Sequence, residues 1–153
     1  RRPPPDCLDP KIHHANLIPS ILAKIEANAA QADDALMLDT RGFIAETNAT
    51  HVFGVWNGAL VTSRLVACPE GITRETILAL CGDLGIACAV RDWSLTELYR
   101  ADEVFCTGTM GELAGVTTVD GRTIGAGEVG PMTQRLAKAY TAHAREHAEP
   151  ILD

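Results

Sequence analysis

The stretch from Asp9 to Asn28 constrains the fold more than any other part of the chain, because it predicts an extended segment that leads directly into a helix. Pro10 favours an extended backbone before it, and Asn16 is a good N-cap residue. Pro19 falls in the first helical turn, where its missing N–H costs little. The apolar residues of this helix recur at helical spacing: Leu17, Ile21, Leu22 and Ile25. The pattern therefore predicts a buried helix to about residue 30.

The overall composition excludes several classes of protein. A length of 153 residues suits one domain with a sizeable core. The formal charge of −7 argues against a nucleic-acid binder, and no apolar run is long enough to predict a membrane helix. The five cysteines are odd in number and lack metal-ligand spacing, so we expect reduced thiols in the cytoplasm and no metal site.

The first residues, Arg1 to Pro5, form a stiff, polyproline-like run. Such a run is typical of a connector between domains. We therefore predict a connector over residues 1–8 and a folded domain over residues 9–153.

The rest of the chain mixes predicted helices and hairpins. Asn57-Gly58 and Asp120-Gly121 are hairpin signals, and each lies between short apolar runs. The spacing predicts further elements: strands over 35–38, 43–46, 86–90 and 103–106, a helix from Gly71 to Leu84, a short helix after Ser94, and a last helix from Pro131 to about His147. A mixed α and β domain is therefore expected.

The Asp9–Asn28 segment resembles the part of fold-type IV pyridoxal-phosphate enzymes that carries the cofactor lysine. These are the class IV aminotransferases, which include branched-chain and D-amino-acid aminotransferases and aminodeoxychorismate lyase. The resemblance covers the larger, C-terminal domain of that family. It implies a D-amino-acid-aminotransferase-like fold, with strands and hairpins in a pseudo-barrel flanked by helices. It also implies pyridoxal phosphate as cofactor.

Glu46 is the first candidate for a cofactor contact. An isolated glutamate at the end of a strand is usually a solvated surface residue. However, residues 42–50 resemble the family segment whose glutamate pairs with the pyridine nitrogen of the cofactor, which implies that role for Glu46. Five residues later the family commonly has asparagine, whereas this chain has His51.

Two short loops are candidates for binding the cofactor phosphate. Gly71, Ile72 and Thr73 open a predicted helix, where free N–H groups and the helix dipole favour an anion. Gly108 and Thr109 follow a predicted strand. Either loop alone is a weak signal, but together they resemble the two phosphate-binding loops of the family.

His13 occupies the position of the cofactor lysine, three residues before Asn16. A lysine there binds the cofactor covalently and then moves a proton, and imidazole can perform only the second task. Lys11 lies two positions away, which puts it on the same face of an extended segment. Lys11 is therefore a possible substitute, although a solvated lysine is the simpler interpretation. Asp102-Glu103 is interpreted as a solvated strand edge.

The sequence thus supports two hypotheses. In the first, the chain is a class IV aminotransferase-like domain that acts on an amino acid and a 2-oxo acid, with activity reduced by His13. In the second, it is a non-catalytic or cofactor-independent homologue that binds another anion or a partner, or an engineered or degraded fragment. The resemblance implies a homodimer or pairing with a small domain. No contact with nucleic acid or membrane is expected.

Overall fold

The computed structural model describes residues 1–12 and 15–149. The helices within these residues are α1 (Ile18–Ala29), α2 (Ile72–Asp83), α3 (Leu95–Leu98) and α4 (Pro131–Glu146). The strands are β1 (Leu36–Leu38), β2 (Ile44–Thr47), β3 (His51–Trp56), β4 (Ala59–Thr62), β5 (Cys88–Val90), β6 (Glu103–Gly108), β7 (Glu112–Val116), β8 (Thr118–Val119) and β9 (Arg122–Thr123). No helix in this part of the chain has the length and apolar character that crossing a membrane requires.

The main sheet has five strands in the order β5-β4-β3-β6-β7, and only the β4–β5 pair is parallel. The predicted hairpin at Asn57-Gly58 joins β3 to β4, and both residues have the positive φ of a primed turn. The mixed α and β fold is confirmed. The strands of the described residues do not close into a barrel, because β5 and β7 remain edges of the sheet and β1–β2 and β8–β9 form separate pairs.

The two faces of the main sheet cover two cores. Phe53 and Val55 of β3 point to the same face as Phe105 of β6, and the two phenylalanine rings stack with centroids 5.0 Å apart. Helices α2 and α4 cover this face through Ile77, Leu80, Cys81 and Leu136. The opposite face packs around Trp93 with Val52, Val61, Val104, Leu98 and Ile124. The strands and helices thus form a layered domain that holds the site at one end of β3.

Helix α1 differs from the prediction of a buried helix. Its apolar side chains are between 53% and 61% exposed: Leu17, Ile18, Ile21, Leu22 and Ile25. Its buried residue is Ala27, and the N-cap is Leu17 rather than Asn16, with no side-chain cap. Helical periodicity identifies an apolar face, but it does not say whether another part of the same domain covers that face. Here no described element does.

Glu103 also differs from its prediction as a solvated acid. It is buried, and its carboxylate lies at the N-terminus of α4. Oε1 accepts a hydrogen bond from the Met132 N–H at 2.9 Å. Oε2 accepts bonds from the Thr133 N–H at 2.8 Å and from the Thr133 hydroxyl at 2.7 Å. Glu103 therefore caps a helix that begins 28 residues later, at Pro131.

We expect Glu103→Ala to lower the free energy of unfolding by about 3 kcal/mol, because it leaves a buried helix N-terminus without hydrogen-bond acceptors. Urea unfolding of the two proteins measures this difference. The control is Glu128→Ala, an exposed glutamate for which we expect a change within about 0.5 kcal/mol. Equal effects of the two substitutions would contradict the capping role.

Candidate functional site

Glu46 lies in the interior, with 4% of its surface exposed, so it is not the solvated residue that an isolated glutamate at the end of a strand usually is. One carboxylate oxygen contacts the Arg2 guanidinium. Burial raises the pKa of Glu46 to about 7, although the charge of Arg2 acts in the opposite direction. A carboxyl group in this environment is poised to ionise when a second cationic group approaches it.

Arg2 is held in place by three parts of the chain. Its Nε donates to the Ala67 carbonyl at 3.1 Å, and Nη1 donates to the Ser20 hydroxyl at 2.9 Å. Its backbone N–H donates to the Leu38 carbonyl at 2.8 Å. The predicted connector is therefore tied to the body of the domain at Arg2, and its guanidinium is brought to Glu46.

Glu46 and Arg2 line a cavity of about 230 Å³. Asn48 and Ala49, which follow β2, form part of its wall, and Pro69 forms another part. Ala49 is two residues from the start of β3, and Pro69 is two residues from Gly71. The residues of the first predicted phosphate loop, 71–73, are not themselves part of the cavity lining.

Each of the two predicted phosphate loops contacts a residue at the start of β3. A Cβ placed on Gly71 would lie 2.4 Å from the ring of His51, so the imidazole packs directly on the Gly71 backbone. A Cβ placed on Gly108 would lie 3.0 Å from Cγ2 of Thr50. Thr50 and His51 are neighbours in sequence, and His51 pairs with Thr107 across the sheet. Both loops therefore lie near the start of β3, the first against His51 and the second against Thr50.

The first loop provides the N-terminus of α2. Gly71 is its N-cap, with φ −120° and ψ 122°, and no side chain caps the helix within the described residues. Thr73 is buried, and its hydroxyl lies 3.5 Å from the hydroxyl of Tyr140. Ile72 is 80% exposed, so only its peptide group remains as a candidate contact. The first-turn N–H groups are therefore available to an anion.

The two residues predicted for the second loop differ in their exposure to solvent. Gly108 is the last residue of β6 and is half-buried, whereas Thr109 is exposed. Thr107 is buried at 1% exposure and lies on the same face of the sheet as His51. The hydroxyl that the sheet holds inside this region is therefore that of Thr107.

Three buried side-chain atoms lack a hydrogen-bond partner within the described part of the chain: Glu46 Oε1, Arg74 Nε and Thr107 Oγ1. Glu46 Oε1 nevertheless forms an ion pair with the Arg2 guanidinium, so it is not without a partner. Arg74 uses Nη2 to donate to the Ser63 carbonyl at 2.9 Å, which leaves Nε free. Unsatisfied buried groups are costly, and this cost falls on the two hydrogen-bond donors Arg74 Nε and Thr107 Oγ1. A polar ligand would satisfy them, so the residues present fit an anionic cofactor.

The electrostatic environment also favours an anion. Burial, together with the positive charges of Arg74 and Arg2, lowers the pKa of His51 to about 4. Burial raises the pKa of the Cys68 thiol to about 12. Both groups are therefore neutral near pH 7, and the guanidinium groups of Arg2 and Arg74 supply the positive charge of the pocket.

Lys11 is not among the residues that line the cavity, although both of its neighbours in sequence are. Lys11 is exposed, and its backbone N–H donates to the Asp9 carboxylate at 3.0 Å. His13 lies outside the described residues. Sequence reasoning missed Arg2 and Arg74 as site residues. The signal for Arg74 was its place beside Thr73 in the first turn of a helix, whereas Arg2 gave none, because its contacts are distant in sequence.

The buried carboxylate of Glu46 and the uncapped N-terminus of α2 are features of this mixed α and β domain that could contact a ligand. The sequence matches the amino-transferase class IV family over residues 1–119. The chain belongs to this family.

The relatives are branched-chain aminotransferases and proteins similar to them. The chain is 51% identical to branched-chain-amino-acid aminotransferase-like protein 2 of Arabidopsis thaliana over 92% of its own length and 25% of that protein. It is 40% identical to the branched-chain-amino-acid aminotransferase of Pseudomonas aeruginosa, over 90% of its own length and 50% of the relative. The chain thus spans between a quarter and a half of these relatives.

The solved structures agree with this assignment. The branched-chain aminotransferase of Thermoproteus uzoniensis, solved with norvaline, superposes with a TM-score of 0.91 at 34% identity, over 97% of this chain and 50% of that one. The enzyme from Thermobaculum terrenum in its pyridoxal-phosphate form superposes with a TM-score of 0.91 at 33% identity, over 96% of this chain and 49% of that one. Structural relatives therefore bind this cofactor and an amino acid.

Proposed function

We propose that this chain is the C-terminal large domain of a class IV aminotransferase-like protein that binds pyridoxal phosphate. The whole protein would transfer an amino group between an amino acid and a 2-oxo acid. The observation that carries the proposal is that two buried polar atoms without a partner, Arg74 Nε and Thr107 Oγ1, occur in the helix turn after Gly71 and directly before Gly108. The structural relative that binds the cofactor supports it.

Each part of the pocket has a separate task in this proposal. The N–H groups of Gly71, Ile72 and Thr73 would hold the phosphate, together with the Gly108–Thr109 peptide. The Glu46 carboxylate would lie beside the pyridine nitrogen and keep it protonated. The cofactor, when bound, supplies an electron sink for a substrate carbanion. The chain itself would bind the cofactor, orient it and exclude water from it.

The amine of the family lysine is replaced here by the imidazole of His13. Imidazole can accept and donate a proton near neutral pH, but it cannot hold the cofactor covalently. We therefore propose reversible, non-covalent binding of the cofactor and a transfer activity well below that of a lysine-bearing relative. Lys11 is the alternative amine, and its exposed position does not favour it.

Two glycine substitutions, one at the N-cap of α2 and one within the helix, test the proposed phosphate site. Gly71→Ala fits the extended backbone at that position, but its Cβ would lie 2.4 Å from the His51 ring. We expect it to weaken pyridoxal phosphate binding at least about tenfold, measured by equilibrium dialysis. The matched control is Gly82→Ala, where a Cβ meets nothing within 4 Å and binding should not change.

Two results would contradict the proposal. One is the absence of cofactor binding by the folded wild-type chain. The other is equal affinity of the Gly71→Ala and Gly82→Ala variants, since only the first residue lies in the proposed phosphate site. Circular dichroism of each variant shows whether the fold is retained.

The second candidate function is binding of a different anion without pyridoxal phosphate. The observation that favours it is the presence of histidine at two family positions, His13 and His51. Under this alternative the pocket would bind inorganic phosphate as tightly as pyridoxal phosphate. Competition between the two ligands in dialysis decides between the functions, because our proposal predicts that the Glu46 contact adds affinity for the larger ligand.

The exposed apolar face of α1 predicts a partner, and we propose a second copy of this chain. The face carries five aliphatic side chains, each more than half exposed, and such a contiguous patch usually marks an interface. The face is formed by uncharged side chains: Leu17, Ile18, Ile21, Leu22 and Ile25. The same face on a second copy could therefore pack against it across a twofold axis. We also propose a cytoplasmic location, because the five cysteines of the chain are not paired in disulfides.

We expect the wild-type chain to elute with twice its monomer mass in light scattering. The double substitution Ile21→Glu with Leu22→Glu should convert it to a monomer. Met110→Glu, which changes a fully exposed apolar residue outside this face, should leave the dimer intact. A wild-type monomer at high concentration would contradict self-association, and a separate small-domain chain would then be the remaining partner.

A further inference from the structure

His51 lies beside the first phosphate loop, and its sequence neighbour Thr50 lies beside the second. Its ring packs on Gly71, at the uncapped N-terminus of α2, and its backbone pairs with Thr107. Its surface is only 7% exposed, and within the residues that the structure describes it makes no side-chain hydrogen bond. A buried imidazole without a protein partner, beside free helix N–H groups, can form its hydrogen bond to a ligand.

The charges around His51 explain its state in the absence of an anion. Arg74 faces it from α2, and Arg2 faces it from the N-terminal segment. Burial and these two cations disfavour a third positive charge, so the pKa of His51 falls to about 4. A phosphate dianion bound here would place negative charge against the ring and reverse the sign of the local field.

We propose that His51 is a phosphate-binding residue whose protonation is coupled to anion binding. The free protein holds a neutral imidazole. When a phosphate monoester enters, the ring takes one proton from the solvent and its N–H donates to a phosphate oxygen. The inference rests on the proposed function of this pocket, and it assigns to His51 a task that asparagine, which has no titrating group, cannot perform.

The coupling sets the direction of the pH dependence. A bound phosphate dianion would raise the pKa of His51 above its value of about 4 in the free protein, so binding becomes tighter as the pH falls. Between pH 8 and pH 6 this amounts to about tenfold in affinity. Phosphate itself also titrates in this range, so the effect has to be measured against a variant without the imidazole.

The test is calorimetric titration of the full chain with pyridoxal phosphate at pH 6.5, in two buffers with different ionisation enthalpies. We expect the wild type to take up more than half a proton beyond the value for His51→Asn. The wild type should also gain about tenfold more affinity than this variant between pH 8 and pH 6. Should His51→Asn fold poorly, the NMR titration of the wild-type His51 ring, free and with pyridoxal phosphate, reads the same protonation directly.

The outcomes separate the two proposals. Binding by both proteins with equal proton uptake, or an NMR signal of His51 that stays neutral in the complex, would overturn the inference and leave the proposed function intact. Absence of binding by the wild type would overturn the proposed function, and the inference with it. Greater proton uptake by the wild type supports both.

Discussion

Replacing His13 with lysine should turn reversible cofactor binding into covalent attachment. After incubation with pyridoxal phosphate and borohydride, His13→Lys should retain about one cofactor per chain through dialysis and denaturation, and the wild type should retain none. The physical reason is that a primary amine can form a reducible covalent bond with the aldehyde of the cofactor, whereas imidazole cannot. Mass spectrometry of the intact chain measures the adduct.

The neighbouring position provides the control. His14→Lys places the same amine one residue further along and should give no stoichiometric adduct. A stoichiometric wild-type adduct mapped to Lys11 would contradict our view of that lysine as solvated. Failure of folded His13→Lys to form an adduct, at a cofactor concentration that saturates the wild type, would contradict the assignment of this segment.

Glu46→Gln should change how stability depends on pH. The pKa of Glu46 is about 7 in the folded chain, against an ordinary value of 4.5, because the carboxyl group is buried. The folded state therefore binds a proton more tightly than the unfolded state does. As a result, the wild type loses stability as the pH rises from about 4.5 to about 7, and this loss is complete above that range.

The size of this effect is at most about 3 kcal/mol between pH 4.5 and pH 7.5. Glutamine has no titrating group, so the stability of the variant lacks this dependence on pH. The free energy of unfolding of the variant should therefore rise relative to that of the wild type as the pH increases through this range. Urea unfolding of both proteins without cofactor, at four pH values, measures the difference. A constant difference would show that Arg2 already holds Glu46 ionised in the folded state. Glu26→Gln, on exposed α1 surface, is the control.

Local chemistry was sufficient to predict much of the fold. The hairpin at Asn57-Gly58 and the short helix after Ser94, where Ser94 and Glu97 form a capping box, are both confirmed, since turns and caps depend on residues close in sequence. The first residues of strand β7 were not predicted, because Glu112 and Gly115 interrupt its apolar pattern. The second hairpin was placed correctly, although its strands are shorter than expected.

Burial of charged residues could not be predicted in the same way. Glu46 is covered by Arg2, 44 residues earlier, and Glu103 binds the N-terminus of α4 about 30 residues later. The exposed face of α1 has the same origin, since periodicity does not reveal what covers a helix. In each case the deciding contact is made between segments far apart in sequence, and the family resemblance supplied the functional interpretation that composition alone did not.

The most direct test of the pocket is a crystal structure of the wild-type chain with pyridoxal phosphate. We predict the phosphate within hydrogen-bond distance of the Gly71–Thr73 and Gly108–Thr109 peptides, the pyridine nitrogen facing the Glu46 carboxylate, and no covalent bond to the chain. Cofactor bound elsewhere, or bound here with its nitrogen turned away from Glu46, would contradict the account.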